Sequence, residues 1–134
     1  MRTSFKVKTH HGTELVNITG EVQRAVESLG VSDGLVVVYV PHTTAGVTIN
    51  ENADPSVRRD ILMELGKIVP LEDGYTHAEG NSAAHLKASL VGSSVTVPVS
   101  GGRMQLGTWQ GIFFCEFDGP RRRSVFVQAV SAGK

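Results

Sequence analysis

The run Leu35-Val36-Val37-Val38-Tyr39-Val40, set between Asp33-Gly34 and Pro41, constrains the fold of this chain more than any other stretch. It is short, continuously apolar and mostly β-branched, the pattern of a strand buried on both faces, and therefore of a central strand. Such a strand needs partners on both edges. Residues 3–9 alternate in strand fashion, and His10-His11-Gly12-Thr13 reads as a turn into a second strand around Leu15 to Ile18, which predicts a hairpin. Further strands are predicted at 95–99, 110–117 and 124–130, separated by Gly92, Gly101-Gly102, Gly107 and Asp118-Gly119-Pro120.

Two segments carry helical spacing instead. Thr19 is placed to cap a helix in which Val22, Ala25, Val26 and Leu29 share one face, with Gly30 where a left-handed terminal residue is wanted. Asp54-Pro55 supplies a cap followed by proline in the first turn, and Val57, Ile61, Leu62, Leu65 and Val69 form a stripe that Pro70 ends. With no repeat, linker or low-complexity tract, residues 1–134 are expected to form one α+β domain: antiparallel-rich, β-sandwich-like sheets with two main helices.

Composition narrows the functional classes. The 134 residues hold 13 Lys plus Arg and 13 Asp plus Glu, so no net field draws the molecule to nucleic acid or an anionic membrane. Recognition by charge must be local. No stretch approaches the roughly 20 apolar residues that span a bilayer, and no signal core opens the chain. The single cysteine, Cys115, lies in the apolar run Ile112-Phe113-Phe114-Cys115 as expected of a buried thiol. A cytoplasmic location is expected.

Four segments carry groups capable of chemistry. The first, residues 41–54, joins the central strand to the long helix and holds His42, Asn50, Glu51 and Asn52; Thr48 and Asn50 equally suit a continuing strand. The second is the polar stretch 71–84 and the residues after it, where His77, Glu79 and His85 are the side-chain types of a divalent metal site or of acid–base work near neutral pH. Gly80 and Asn81 interrupt any helical His-Glu-x-x-His arrangement there. With His42 added, three imidazoles match a catalytic zinc set with one position open; a structural role for one or more of them is the alternative. The third segment, 100–111, offers Arg103 between glycines and the lone Trp109, which suits stacking, core packing or a subunit contact. The fourth is Arg121-Arg122-Arg123 after Glu116 and Asp118, where strand alternation would turn Arg121 and Arg123 one way and Arg122 the other and give phosphate a second positive group; the ordinary reading is a solvated run partly paired with those acids.

Taken together, His42-Thr43-Thr44-Ala45, Asn50-Glu51-Asn52-Ala53-Asp54-Pro55, His77-Ala78-Glu79-Gly80-Asn81, Ala84-His85-Leu86-Lys87-Ala88-Ser89, Gly107-Thr108-Trp109-Gln110 and Glu116-Phe117-Asp118-Gly119-Pro120-Arg121 resemble the YjbQ-like family, also known as secondary thiamine-phosphate synthases. The resemblance spans nearly the whole chain. It implies a compact α+β fold with a β-sandwich element, a homotrimer, and a site near subunit contacts with a divalent metal, zinc or magnesium, or an anion at His42, His77 and His85. The activity it implies is the joining of hydroxymethylpyrimidine diphosphate to thiazole phosphate. Displacing diphosphate requires charge stabilisation and an in-line nucleophile. On that basis Glu51, Glu79 and Lys87 are the candidate catalytic groups, and Asn50, Asn81, Lys87, Arg103, Thr108, Trp109 and Gln110 the candidate substrate and phosphate contacts. A metal-dependent hydrolase and a non-catalytic trimeric metabolite-binding protein are the alternatives.

Overall fold

A computed structural model describes residues 1–133, and every strand pair in it is antiparallel. The strands are β1 (Arg2–Lys8), β2 (Glu14–Asn17), β3 (Gly34–Tyr39), β4 (Ala45–Glu51), β5 (Ser94–Ser100), β6 (Arg103–Met104), β7 (Gln110–Glu116) and β8 (Arg122–Ser131). They form a five-stranded sheet in the order β1-β8-β3-β5-β6 and a three-stranded sheet in the order β2-β7-β4. The apolar run at 35–40 is indeed β3, the middle strand of the larger sheet.

One face of β3 is open, contrary to the expectation that both are buried. Val36 and Val38 are fully buried, whereas Leu35 and Tyr39 are each 44% exposed. The first two strands also depart from the predicted hairpin. β1 pairs with β8 and β2 with β7, so the turn at 10–13 carries the chain from one sheet to the other. Turn residues identify a reversal of direction, but not which strand lies beside which.

Helix α1 (Thr19–Leu29) packs Val22, Ala25 and Val26 between the sheets and ends on Gly30 at φ 71°, the left-handed residue expected there. Helix α2 (Pro55–Ile68) opens on Asp54, whose carboxylate accepts the Ser56 amide at 2.9 Å. Its stripe of Ile61, Leu62 and Leu65 covers the outer face of the smaller sheet beside Phe113 and Cys115. A third helix, α3 (Ser82–Val91), begins inside the polar stretch 71–84 and runs through the residues after it, where helical spacing predicts none. Its buried residues are the small Ala83, Ala84 and Ala88, which give little periodic hydrophobic signal, and this explains why spacing alone did not reveal it.

Two cores result. The principal one joins α1 to the inner faces of both sheets, and the second joins the outer face of the smaller sheet to α2 and α3. Ile112, Phe113 and Phe114 lie in the middle of this stack, essentially without exposure. Burial of each contributes roughly 1.5–3 kcal/mol. Cys115 is equally enclosed, and burial pushes its thiol up to about 12, as suits a packing residue. No helix among the described residues is long and apolar enough to cross a membrane.

Candidate functional site

The site is built where β3 leaves its sheet. Tyr39 is the last residue of β3 paired with β8, opposite Phe126, and Pro41 follows two residues later, where Ser124 would be its partner. The His42 ring takes up the Ser124 amide: its Nε2 accepts that N–H at 2.9 Å. An acceptor nitrogen carries no proton, so neutral His42 holds its hydrogen on Nδ1. Burial, then the nearby Arg123 guanidinium, lowers its pKa below the ordinary imidazole value and favours that neutral form.

His85 sits in the first turn of α3, and α3 is held against β4 by close backbone approach. The Val47 amide donates to the Gly92 carbonyl at 3.1 Å, and Gly46 leaves room for that carbonyl. His42, Thr43, His85, Ser89 and Ser93 thereby line one cavity of about 370 Å³. A second, of about 460 Å³, opens on the other side of His85 and is lined by Tyr75, Thr76, His77 and Ser82 with it. His85 is common to both.

The loop before α3 brings His77 to this point. Tyr75 anchors it through a 2.6 Å hydrogen bond from its hydroxyl to the Pro70 carbonyl, and Gly80 at φ 77° closes the turn back to the His77 carbonyl. The rings of His77 and His85 stand edge to face with centroids 5.4 Å apart. His77 Nε2 lies 3.1 Å from Glu79 Oε1. An ionised carboxylate only accepts, so Nε2 donates and the lone pair of a neutral ring is left on Nδ1. Carboxylates fix metal-binding histidines in this way. His42 and His77 are thus poised oppositely toward a ligand.

Asn81 stands at the N-cap position of α3 without a side-chain bond to the helix and donates from Nδ2 to Asp118 at 2.9 Å, while its Oδ1 is buried with no partner among the described residues. Asp118 also accepts from Arg121 at 3.0 Å. Burial pushes the Asp118 carboxyl up, but these bonds from Asn81 and Arg121 outweigh it and hold the group below its ordinary value. Among the described residues no group of three His, Cys, Asp or Glu side chains is assembled to hold a metal ion.

The other predicted residues lie apart from the histidines in a single chain. Asn50 and Glu51 end β4 opposite Gly111 and Gln110, whereas Ala45, near His42, begins it. Six residue steps separate the two ends, or about 20 Å. Thr108 and Trp109 lie at the same far end, and Trp109 is 63% exposed. Arg103 pairs with Ser100 on β6, at the far end of β5 from Ser93. Lys87 follows His85 by two helical positions and projects from another side of α3, where burial lowers its pKa below the ordinary ammonium value.

Sequence reasoning passed over Glu116 and Arg123 as a buried pair. Both are nearly inaccessible, and Arg123 spans Glu116 and the Thr44 hydroxyl just behind His42. The available signal was alternation, since Arg123 shares the inward register of Val125 and Val127. Arg122 faces solvent, as alternation predicts, and Arg121 pairs with Asp118.

Two antiparallel sheets enclosing one helix, with two further helices on the smaller sheet and a histidine-lined edge, define an α+β domain of a recognisable kind. The family described as "UPF0047 protein YjbQ-like" matches residues 3–132, and the chain belongs to it. It is 53% identical over 130 residues to UPF0047 protein MJ1081 of Methanocaldococcus jannaschii, covering 97% of this chain and 94% of that protein. UPF0047 protein YugU of Bacillus subtilis is 48% identical over 129 residues, covering 96% and 98%. A crystal structure of a YjbQ/UPF0047 family protein from Clostridium acetobutylicum superposes with a TM-score of 0.93 at 55% identity, covering 96% of this chain and 99% of that one. A YbjQ-like protein of unknown function from Sulfolobus solfataricus P2 superposes with a TM-score of 0.94 at 33% identity, covering 98% and 96%.

Proposed function

We propose that the protein is a cytoplasmic, metal-dependent enzyme acting on a phosphorylated heterocycle, with thiamine-phosphate formation as the candidate reaction. The observation that carries this reading is His85, which faces His77 at 5.4 Å on one side and shares a cavity with His42 on the other. Two imidazoles with Glu79 behind one of them are donor types that suit a divalent ion such as zinc. His77 and His85 are the proposed ligands. Such an ion, when bound, would neutralise charge on a departing diphosphate. His42, with its Nε2 engaged by Ser124, presents an Nδ1–H donor and suits a phosphate oxygen better than a metal.

The length of β4, about 20 Å over the six steps from Ala45 beside His42 to Glu51, is the argument for assembly. In a homotrimer, that end of one copy would complete the histidine site of the next and supply the missing acid–base group and a third ligand. Within a lone chain the same separation favours binding without turnover, which is the competing reading.

The deciding experiment compares the parent with His85→Ala for bound metal, by elemental analysis, and for thiamine-phosphate formation from the two half-molecules. Both are expected to fall at least about a hundredfold, while circular dichroism and Tm stay near the parent values. Undiminished product formation by the variant would refute the assignment. Metal-dependent cleavage of phosphoesters without coupling would point to a hydrolase, and ligand binding without conversion to a binding protein.

A further inference from the structure

The open face of the larger sheet gathers three cations that form no ion pair among the described residues. β1 and β8 run antiparallel with Lys8 opposite Arg122 and Lys6 opposite Ser124, so alternation puts Lys6, Lys8 and Arg122 on one exposed face. With Arg121, Thr9 and Pro120 they line a cavity of about 540 Å³. The ion pairs among the described residues are Arg24–Glu21, Lys67–Glu64, His77–Glu79, Arg121–Asp118 and Arg123–Glu116. Lys6, Lys8 and Arg122 belong to none of them. Lys6 reaches only a neutral partner, the Ser124 hydroxyl at 2.6 Å. Arg2, on the same face, is engaged over the Phe126 ring at 4.8 Å.

Like charges directly opposite each other destabilise an antiparallel pair. The Lys8–Arg122 pairing is therefore unfavourable by itself, in a protein whose charges otherwise balance. A compact, multiply charged anion would reverse its sign, with the Arg122 guanidinium offering a planar fork and the two lysines point charges. The volume suits a small ligand rather than an extended polymer.

We propose that this cleft is a binding site for a small phosphate-bearing anion of the diphosphate class. It goes beyond the metal reading, needing neither the metal nor the histidines. Two residues nonetheless join it to the histidine site. Ser124 takes Lys6 through its hydroxyl and holds His42 through its amide, and Asp118 takes both Arg121 and Asn81. An anion in the cleft would compete for Lys6 and Arg121, and so would alter the supports of His42 and Asn81.

The test is calorimetric titration of inorganic diphosphate into the chelator-treated protein carrying His85→Ala, which removes the metal's contribution, with the Lys8 and Arg122 variants separating the cleft from His42. One site per chain is expected, weakening as salt rises, because exposed charges are screened over about 8 Å at physiological ionic strength. Lys8→Gln with Arg122→Gln should weaken binding about tenfold or more, while Lys67→Gln on α2 leaves it unchanged. Without ligand, the double variant should melt at or above the temperature of its background, which shows that it folds. The proposal is overturned by absence of binding in the His85→Ala background or by equal affinity in the double variant. A changed oligomeric mass with diphosphate affinity retained would make the cleft a contact between copies and overturn it as well.

Discussion

Arg123→Ala is expected to lower stability by about 3–5 kcal/mol, because it strands a buried carboxylate. For a chain of this length that corresponds to a fall in Tm of roughly 10–20 °C. Glu116 has no exposed surface, and Arg123 is its one cationic partner among the described residues, bonding both carboxylate oxygens. The Thr9 hydroxyl and the Asp118 amide also donate to it, but neither brings a charge. Arg123 further donates to the Thr44 hydroxyl at 2.9 Å, so its loss loosens the chain immediately before β4.

The pH dependence gives this prediction a sign. Burial pushes the Glu116 carboxyl up, but its hydrogen bonds from Arg123, the Asp118 amide and Thr9 outweigh burial and hold it below the ordinary value. A folded-state pKa below the unfolded one contributes stability that is present above the unfolded value and lost as pH falls through the folded one. The parent should therefore weaken in acid. In the variant burial faces only the two neutral donors, the carboxyl rises, and its contribution is instead lost as pH rises through the raised value. Melts recorded between about pH 4 and pH 8 should show the gap between parent and variant widest near neutrality and narrowing toward acid. A gap that does not change with pH would mean that the lost arginine acts through packing alone. Arg123→Met combined with Glu116→Leu should recover part of the stability.

Much of the architecture was legible because it rests on local periodicity and chain punctuation. β3 stands between Asp33-Gly34 and Pro41, α1 ends on Gly30, and α2 starts at Asp54-Pro55, all readable from neighbours in the chain. Strand partnership was not legible. The β1–β8 and β2–β7 pairings join residues more than ninety positions apart, and no turn signal encodes them. α3 was hidden because alanines bury it against bulky neighbours.

The candidate site divides in the same way. Residue types in the 77–85 loop pointed to His77, Glu79 and His85, and the fold places these together. The blocks at 50–51 and 108–110 carry equally suggestive residues, but β4 and β7 hold them at the opposite end of the smaller sheet. Arg121-Arg122-Arg123 resembled a solvated run, yet its three members have three fates: a surface pair with Asp118, an exposed cation in a cleft, and a buried pair with Glu116. Only the register of β8 separates them.

Gly46→Ala is expected to cost about 2–4 kcal/mol and to reduce Tm by roughly 6–14 °C, while moving His85 away from His42. A Cβ at this position would lie 2.6 Å from the Gly92 carbonyl oxygen and 3.3 Å from Val91 Cγ1. The nearer atom is backbone, so it cannot swing aside as a flexible side chain would. That carbonyl also accepts the Val47 amide, so relieving the clash breaks a hydrogen bond between β4 and the end of α3. The C-terminal end of α3 must tilt off the sheet, and Ala88 and His85, which line the cavity with His42, move with it. Gly66→Ala is the matched control, since the interior of α2 leaves open space around it and a helical glycine gains about 0.5–1 kcal/mol on becoming alanine. Thermal melts of the two variants should shift in opposite directions. Histidine resonances read in the same samples should show His85 displaced in Gly46→Ala alone; an unmoved His85 beside a lowered Tm would mean that α3 is positioned by its alanine face, not by the contact at Gly46.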